Sequence, residues 1–472
     1  MQKFKSAIAI VLLMTFLLLT CLSGCGNGKA TLTVLIDGTL REDMRRQIRN
    51  HIREYEDTHS GIVFDLKVLS TDKAEREAMF ERLRTQIMAG KGPDIYLLPT
   101  SNSFYLGALF QDVNQTMRNG VFADISKYYD ADTALDKDGL VTEVMDAGLV
   151  GEARYTLPLR YDFPVAYVDT AQFAAAGLSM DIFDGGLTKV LEAVTTTNNS
   201  KVATSADMDM VISQYFLNFF PEIVDYEEQE VLLTQESVAE FLYLLQSQIA
   251  LAGDKPLYRM HPTLSSYISE SESFWANQGF CMNIDNLEMA VLNGAIAKVQ
   301  GIDLEMFPLT ANDGSLIADV TFFGAIGGGC KKTDVAYDFL RQFLLAQTQW
   351  EENRPQRADT SRLGDERLIE AGWPVRAAGA TAKLYDSVWD QVNGVRFANK
   401  EATENLPQFK QLQLLDEDIS VAQADISSVR YPIISEYEIG RTLWDVLSNP
   451  DVNIDALAAQ IEETLQWHLA EG

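Results

Sequence analysis

Residues 31–99 constrain the fold more than any other stretch. "TLTVLIDG" (31–38) is a short β-branched apolar run closed by Asp37 and Gly38, and it reads as a buried strand with a turn. Met44, Ile48, Ile52 and Tyr55 then recur at helical spacing among charged residues, with Gly61 as the stop. "IVFDLKVLS" (62–70) is a second strand, opened by Val63 and Phe64 in a partly alternating pattern. A second helix follows, with Ala78, Met79, Leu83, Ile87 and Met88 as its apolar stripe, and "DIYLLP" (94–99) is a third strand. Strands and helices alternating at this spacing specify a doubly wound α/β unit with parallel strands.

The corner between the second helix and the third strand, "IMAGKGPDIYLLPT" (87–100), holds a Gly-Lys-Gly segment. A phosphate loop follows a strand and opens a helix, so that backbone N–H groups at the helix N-terminus face the anion. Here the order is reversed. Gly90 fits the position just past a helix C-cap, and Pro93 cannot continue the helix. The segment is a chain corner, not an anion cradle.

The N-terminus stands apart from the fold. Lys3 and Lys5 precede an apolar stretch over residues 7–19, which is too short for a comfortable transmembrane span and reads as the core of a secretory leader. The leader ends in "LSGC" (22–25), which resembles the bacterial lipobox. That resemblance implies cleavage after residue 24 and diacylation of Cys25. A two-chain anchor holds a protein stably at a membrane. The expected location is the extracellular face of the cytoplasmic membrane, with residues 25–30 as a lipidated tether.

The chain has 68 acidic and 38 basic residues, a formal net charge of −30, and loss of Lys3 and Lys5 with the leader makes it more acidic. Such a surface repels nucleic acid, which is excluded as a partner. The hydrophobic fraction of 47% is that of a globular protein and not of an acidic disordered tail. Cys281 and Cys330 sit in separate apolar stretches and read as buried free thiols, with a bridge as the alternative. His51, His59, His261 and His468 are scattered, no metal-ligand spacing is found, and no cofactor is expected.

The helix followed by "IMAGKGPDIYLLP" is similar to a hallmark of extracellular solute-binding proteins of the ABC-importer type, the family containing maltose- and other sugar-binding receptors. The resemblance runs on through "LFQDVNQTM", "FADISKYYD", "ARYTLPLRYDFPVAYVDTAQFAAAGL", "FWANQGFCMNIDN", "AYDFLRQFLL" and "AGWPVRAAG". Two features depart from it. "LTKVLEAV" lacks the tryptophan that normally announces its helix, and "GNGKA" is a very short tether, which would hold the protein close to the membrane.

The resemblance implies an α/β, two-lobed, periplasmic-binding-protein-like fold. Each lobe would be a doubly wound, mostly parallel sheet, and the C-terminal part would be helical. The first lobe is placed at 31–162 and 303–350, the second at 163–302 and 355–472. Ligands of open α/β sheets lie beyond the carboxyl ends of the strands, and two such edges make a cleft that closes by a hinge. The candidate ligand contacts follow. Asp37 could accept from ligand hydroxyls, with Gly38 admitting the backbone, or serve only a turn. Ser101 and Asn102 could bond a ligand or cap a helix. Tyr161 and Asp162 stand at the crossing strand beside the hinge, and Asp285 and Asn286 end a strand of the second lobe. Phe323, next to Phe322, is a platform or core. Trp373, in a loop between glycine and proline, is a stacking platform or hinge packing, with Arg376 as its polar companion. Trp275 reads as core.

The expected function is a monomeric, membrane-anchored receptor. It would capture a small solute, a mono- or oligosaccharide, and deliver it to the permease of an ABC importer. A surface glycosidase is the enzyme alternative, since 68 acids supply carboxylate pairs by accident, but no Gly-x-Ser-x-Gly, HExxH or Cys-His pattern is present. A non-transport sensor or interaction protein on the same fold is the third reading.

Overall fold

The computed structural model describes residues 29–40, 42–100, 106–197, 219–252, 282–287, 290, 304–345, 373–375, 426–433, 443, 446–447 and 449–471. The chain begins with β1 (Ala30–Ile36), α1 (Glu42–Thr58), β2 (Ile62–Val68), α2 (Lys73–Met88) and β3 (Ile95–Pro99). β1 pairs in parallel with both β2 and β3. As the middle strand it is buried on both faces over Val34–Ile36, as a strand covered by helices must be. β2 lies at the sheet edge, where the Asp65–Lys67 ion pair (2.9 Å) puts charge on the open ladder and discourages pairing with another chain.

α1 buries Ile48, Ile52 and Tyr55, the expected stripe. α2 follows its expectation in part: Met79, Leu83 and Ile87 of the stripe pack on the first core, but Ala78 is exposed, Met88 is 89% exposed, and the buried residues are Arg76 and Phe80. Asp72 caps its N-terminus by accepting from the Glu75 amide at 3.0 Å. At its end Gly90 takes φ +65°, and the Gly90 and Lys91 amides return to the carbonyls of Ile87 (2.9 Å) and Gln86 (2.8 Å). This double closure needs a left-handed residue. Gly90→Ala is expected to cost about 1 kcal/mol, read as a lower urea midpoint, because a methyl there meets no neighbour and only the backbone conformation is penalised.

β3 is followed by α3 (Val113–Arg118), the small ladder of β4 (Leu149–Val150) with β5 (Ala153–Arg154), and β6 (Thr156–Asp162). β7 (Pro164–Asp169) comes one residue later and belongs to a different sheet. After it come α4 (Thr170–Ala175), α5 (Gly186–Thr196), the β8–β9 hairpin (Val224–Asp225 with Glu230–Val231), α6 (Gln235–Ala252), β10 (Met282–Asn286) and β11 (Leu304–Pro308). β12 (Ile317–Ile326), α7 (Thr333–Arg341), β13 (Trp373–Pro374), β14 (Ser428–Arg430) and α8 (Ile454–Glu471) follow, and two further short α-helices lie at Ser126–Ala131 and Thr142–Asp146.

Two sheets and two cores result. Among the described residues the first sheet has seven strands, β13-β6-β12-β3-β1-β2 with β14 alongside β12, and the second has three, β10-β7-β11. α5, α6 and α8 cover the second sheet through Leu187, Val190, Phe241, Leu245, Ala458 and Ile461. Leu187, Val190, Leu191 and Val194 of α5 are fully buried, so this helix packs without the tryptophan missing from its sequence.

Three details depart from expectation. The second sheet is antiparallel, β10 and β11 both running against β7. β7 continues β6 out of the first lobe, and β10 and β11 both end beside Pro164 and Val165, heading back toward it; strands that leave and return through one hinge must oppose each other. β11, inside the 303–350 stretch expected in the first lobe, lies in the second sheet. Conversely β13 and β14, within 355–472, join the first sheet, and Val375 and Tyr431 beside them pack in the first core.

β7 itself serves both cores. Val165 and Tyr167 belong to the first, Ala166 and Val168 to the second, as the two-residue period of a strand requires.

Candidate functional site

The carboxyl ends of β1, β3 and β6 meet at one edge of the first sheet, where β7 leaves for the second lobe. Asp37, directly after β1, is 2% exposed and its carboxylate accepts four hydrogen bonds. Oδ1 accepts from the Thr39 amide (2.9 Å), the Thr39 hydroxyl (2.7 Å) and Arg76 Nη1 (3.0 Å), and Oδ2 accepts from Arg76 Nη2. Three of these bonds fall on Oδ1 and one on Oδ2, so in this structure the carboxylate serves the turn after β1 and Arg76. Arg76, 0% exposed, also donates to the Gly107 carbonyl from Nε (3.2 Å) and Nη2 (3.1 Å), and to the Ser70 carbonyl (3.2 Å). It thereby fixes the segment after β3 to the ends of β1 and β2. Gly38 has a packing reason of its own, since a Cβ there would lie 2.2 Å from the Leu69 carbonyl oxygen.

Beside this pair is a small cavity lined by Asp37, Leu98, Pro99, Phe110, Val113 and Phe323. It leaves about 10 Å³ for the centre of a water molecule, room for about one water. Phe323 is buried, packing edge-on against Phe122 (6.1 Å) and Tyr431 (5.6 Å), and Phe322 is buried with it, so both are core. Tyr161 is buried too, stacked on Phe163 at 6.4 Å. Burial, and then the adjacent Asp162 charge, push its hydroxyl well above the usual tyrosine range.

Asp162 is half-buried and acts at the hinge. Its Oδ1 accepts from the Phe163 amide (2.9 Å) and from the Leu287 amide (2.8 Å), tying the end of β6 to the residue after β10. Asp285 and Asn286 stand in register with Val165 and Pro164 of β7, so they too lie at the hinge end of the second sheet. Trp373 is not in a loop: its backbone forms β13, with Trp373 opposite Tyr161 and Pro374 opposite Arg160. Trp373, far along the chain from Tyr161 and Asp162, is thus their neighbour at the crossing. Ser101, Asn102, Arg376, Cys25 and Cys281 lie outside the described residues. Cys330 is a free thiol, pushed up to about 11 by burial and therefore protonated at neutral pH.

Sequence reasoning missed the Asp319–Arg430 pair. Asp319 of β12 stands opposite both Asp162 of β6 and Arg430 of β14, and its Oδ1 accepts from Arg430 Nε at 3.0 Å. Burial raises the Asp319 carboxyl and Arg430 opposes that shift. Its only sequence signal is an acid inside an apolar strand, "IADVTFFGAI". Among the described residues no helix is long and apolar enough to cross a membrane, and no group of acids, histidines and cysteines could hold a metal.

No family model matches the sequence. No curated protein matches it either. Solved structures do resemble it. One is an ABC substrate-binding protein from Listeria monocytogenes in complex with cycloalternan, at 14% identity and TM-score 0.51, covering 94% of this chain and 99% of that one. Another is a cyclic α-maltosyl-1,6-maltose binding protein from Arthrobacter globiformis, at 16% identity and TM-score 0.52, covering 94% of this chain and all of that one. A de novo designed cysteine esterase matches at 14% identity and TM-score 0.54, over 94% and 98% of the two chains. The chain has the two-lobed α/β fold of extracellular solute-binding proteins. That fold has also served as an esterase scaffold, so it does not by itself fix a chemistry.

Proposed function

We propose that this chain is a membrane-tethered receptor that captures a small solute between its lobes and hands it to an ABC importer. The observation that carries the reading is the double crossing. β6 passes into β7 at Phe163, and β11 passes into β12 through residues 309–316, so these two crossings run through one hinge region, and the chain crosses again between β14 and α8. A hinge of this kind lets two strand edges close on a ligand. A saccharide is the proposed solute class, supported by the maltosyl-maltose receptor among the similar structures and by the aromatic Trp373 placed beside Tyr161 and Asp162. Trp373 is the proposed stacking residue, with Arg376, Ser101, Asn102, Asp285 and Asn286 as polar contacts. The Asp37–Arg76 ion pair and the buried rings of Tyr161 and Phe323 support a role for those residues in shaping the wall. Lipidation at Cys25 would place the receptor on the outer face of the cytoplasmic membrane beside its permease.

A thermal-shift screen of the purified chain against sugars, oligosaccharides, amino acids and polyamines tests this. A ligand at a hundredfold excess over its Kd stabilises the folded form by about 2.7 kcal/mol. The expected result is a saturable rise in Tm with one sugar class, abolished in Trp373→Ala. Stabilisation by no sugar would overturn the saccharide assignment, and stabilisation by no solute would overturn the receptor reading.

A further inference from the structure

The β8–β9 hairpin belongs to the second lobe at its base and to the first lobe at its tip. Val224 and Val231 pack on the second core, and the Leu232 amide closes the base by donating to the Ile223 carbonyl at 2.8 Å. The tip is locally built. Asp225 accepts from the Glu227 (2.8 Å) and Glu228 (3.0 Å) amides, the Gln229 side chain donates to the Tyr226 carbonyl (2.8 Å), and Gln229 holds a left-handed backbone at φ +56°. A non-glycine residue in that region is uncommon and needs surrounding structure to hold it.

From this tip, two side chains reach the first lobe. The Tyr226 hydroxyl donates to Asp112 Oδ2 at 2.8 Å, and Arg118 Nη1 donates to Glu227 Oε1 at 2.6 Å. The Arg118 guanidinium also lies over the Tyr226 ring, 5.2 Å from its centroid. Asp112 is the N-cap of α3, accepting from the Gln115 amide at 2.9 Å, so the tip grips a rigid point of the first lobe. A second contact runs beside it: Arg430, paired with Asp319 in the first sheet, donates to the carbonyls of Phe220 (3.1 Å) and Pro221 (3.4 Å) in the second lobe. Both contacts leave the second lobe within residues 220–227. Both land at the edge where β3 ends, since Val113, next to Asp112, lines the cavity with Pro99 and Phe323. That is the edge on which the cleft opens.

We propose that the 224–231 hairpin is a latch across the cleft edge, with Tyr226 and Glu227 on the moving half and Asp112 and Arg118 on the fixed half. The latch biases the empty protein toward the closed arrangement of its lobes. It rests on the two-lobed fold alone and holds whatever the solute is. Its parts suit a latch and not a permanent weld: they are polar, and Glu227 is 77% exposed, so the contact can break into water at little cost. A hydrogen bond to a charged group shifts an equilibrium by roughly tenfold or more, enough to redistribute open and closed populations.

Small-angle X-ray scattering of the purified chain without solute, compared with Tyr226→Phe, Arg118→Gln and the double variant, tests it. The expected result is a larger radius of gyration and a longer tail in the distance distribution for each single variant, greatest for the double, with unchanged far-UV circular dichroism. Glu227→Gln, at an exposed tip position, gives the same test if Arg118→Gln folds poorly. Unchanged scattering would overturn the latch, and a smaller radius of gyration would overturn it by placing the contact behind the hinge. Because no solute is added, failure of the sugar screen and failure of the latch remain separate results.

Discussion

Arg76→Met is expected to destabilise the protein by roughly 3–5 kcal/mol, the range for breaking a buried ion pair by removing one partner. The size follows from what is left behind. Asp37 would remain buried beneath the turn after β1 with its charge uncompensated, and the carbonyls of Gly107 and Ser70 would lose their donor. Arg76→Lys would keep the charge but not the planar fork that serves Asp37, Gly107 and Ser70 together, so it should recover only part of the loss. The double variant Asp37→Asn with Arg76→Met should be more stable than Arg76→Met alone, since no unpaired charge stays in the interior. Urea unfolding followed by tryptophan fluorescence and circular dichroism measures all three. An Arg76→Met cost below about 1 kcal/mol, the worth of an exposed pair, would show that the carboxylate is reached by water.

The second large effect is acid sensitivity from His51. The ring is 6% exposed, edge-on to Phe343 at 4.9 Å, and burial lowers its pKa to about 4. An unfolded histidine titrates near 6.5. Between those values the unfolded chain binds a proton that the folded chain refuses, so stability falls as pH falls from about 6.5 toward 4 and the loss is complete below 4. The linkage amounts to about 2 kcal/mol by pH 5 and about 3 kcal/mol by pH 4. His51→Leu removes this term. The stability difference between variant and parent should therefore grow in the variant's favour as pH drops from 7 to 4, while contributions shared with the carboxylates cancel. A difference independent of pH would mean that the ring accepts its proton in place.

The first three strands, the two helices between them and the Gly90 corner were legible because each is specified locally, by apolar period, cap and left-handed turn. What escaped was set by partners far along the chain. Arg76 reads as one more charge on a charged helix, and only the approach of Asp37, 39 residues away, turns it inward beside Phe80. Asp37 itself sits where a ligand contact belongs by strand order, yet the same approach draws it into a buried ion pair. Trp373 reads as a loop residue because a two-residue strand has no period to detect; its place beside Tyr161 comes from β6. The sense of the second sheet was hidden for a similar reason: nothing within β10 or β11 records which way each must run to return to the hinge.

The double allegiance of β7 limits how the protein can move. Adjacent residues of this strand are keyed into opposite interiors, Val165 and Tyr167 into one and Ala166 and Val168 into the other. Sliding the strand by one position would present every side chain to the wrong interior. The strand therefore behaves as a splined shaft that transmits rotation and resists translation, and at this crossing the lobes can move by bending at Phe163 and in the 309–316 connection.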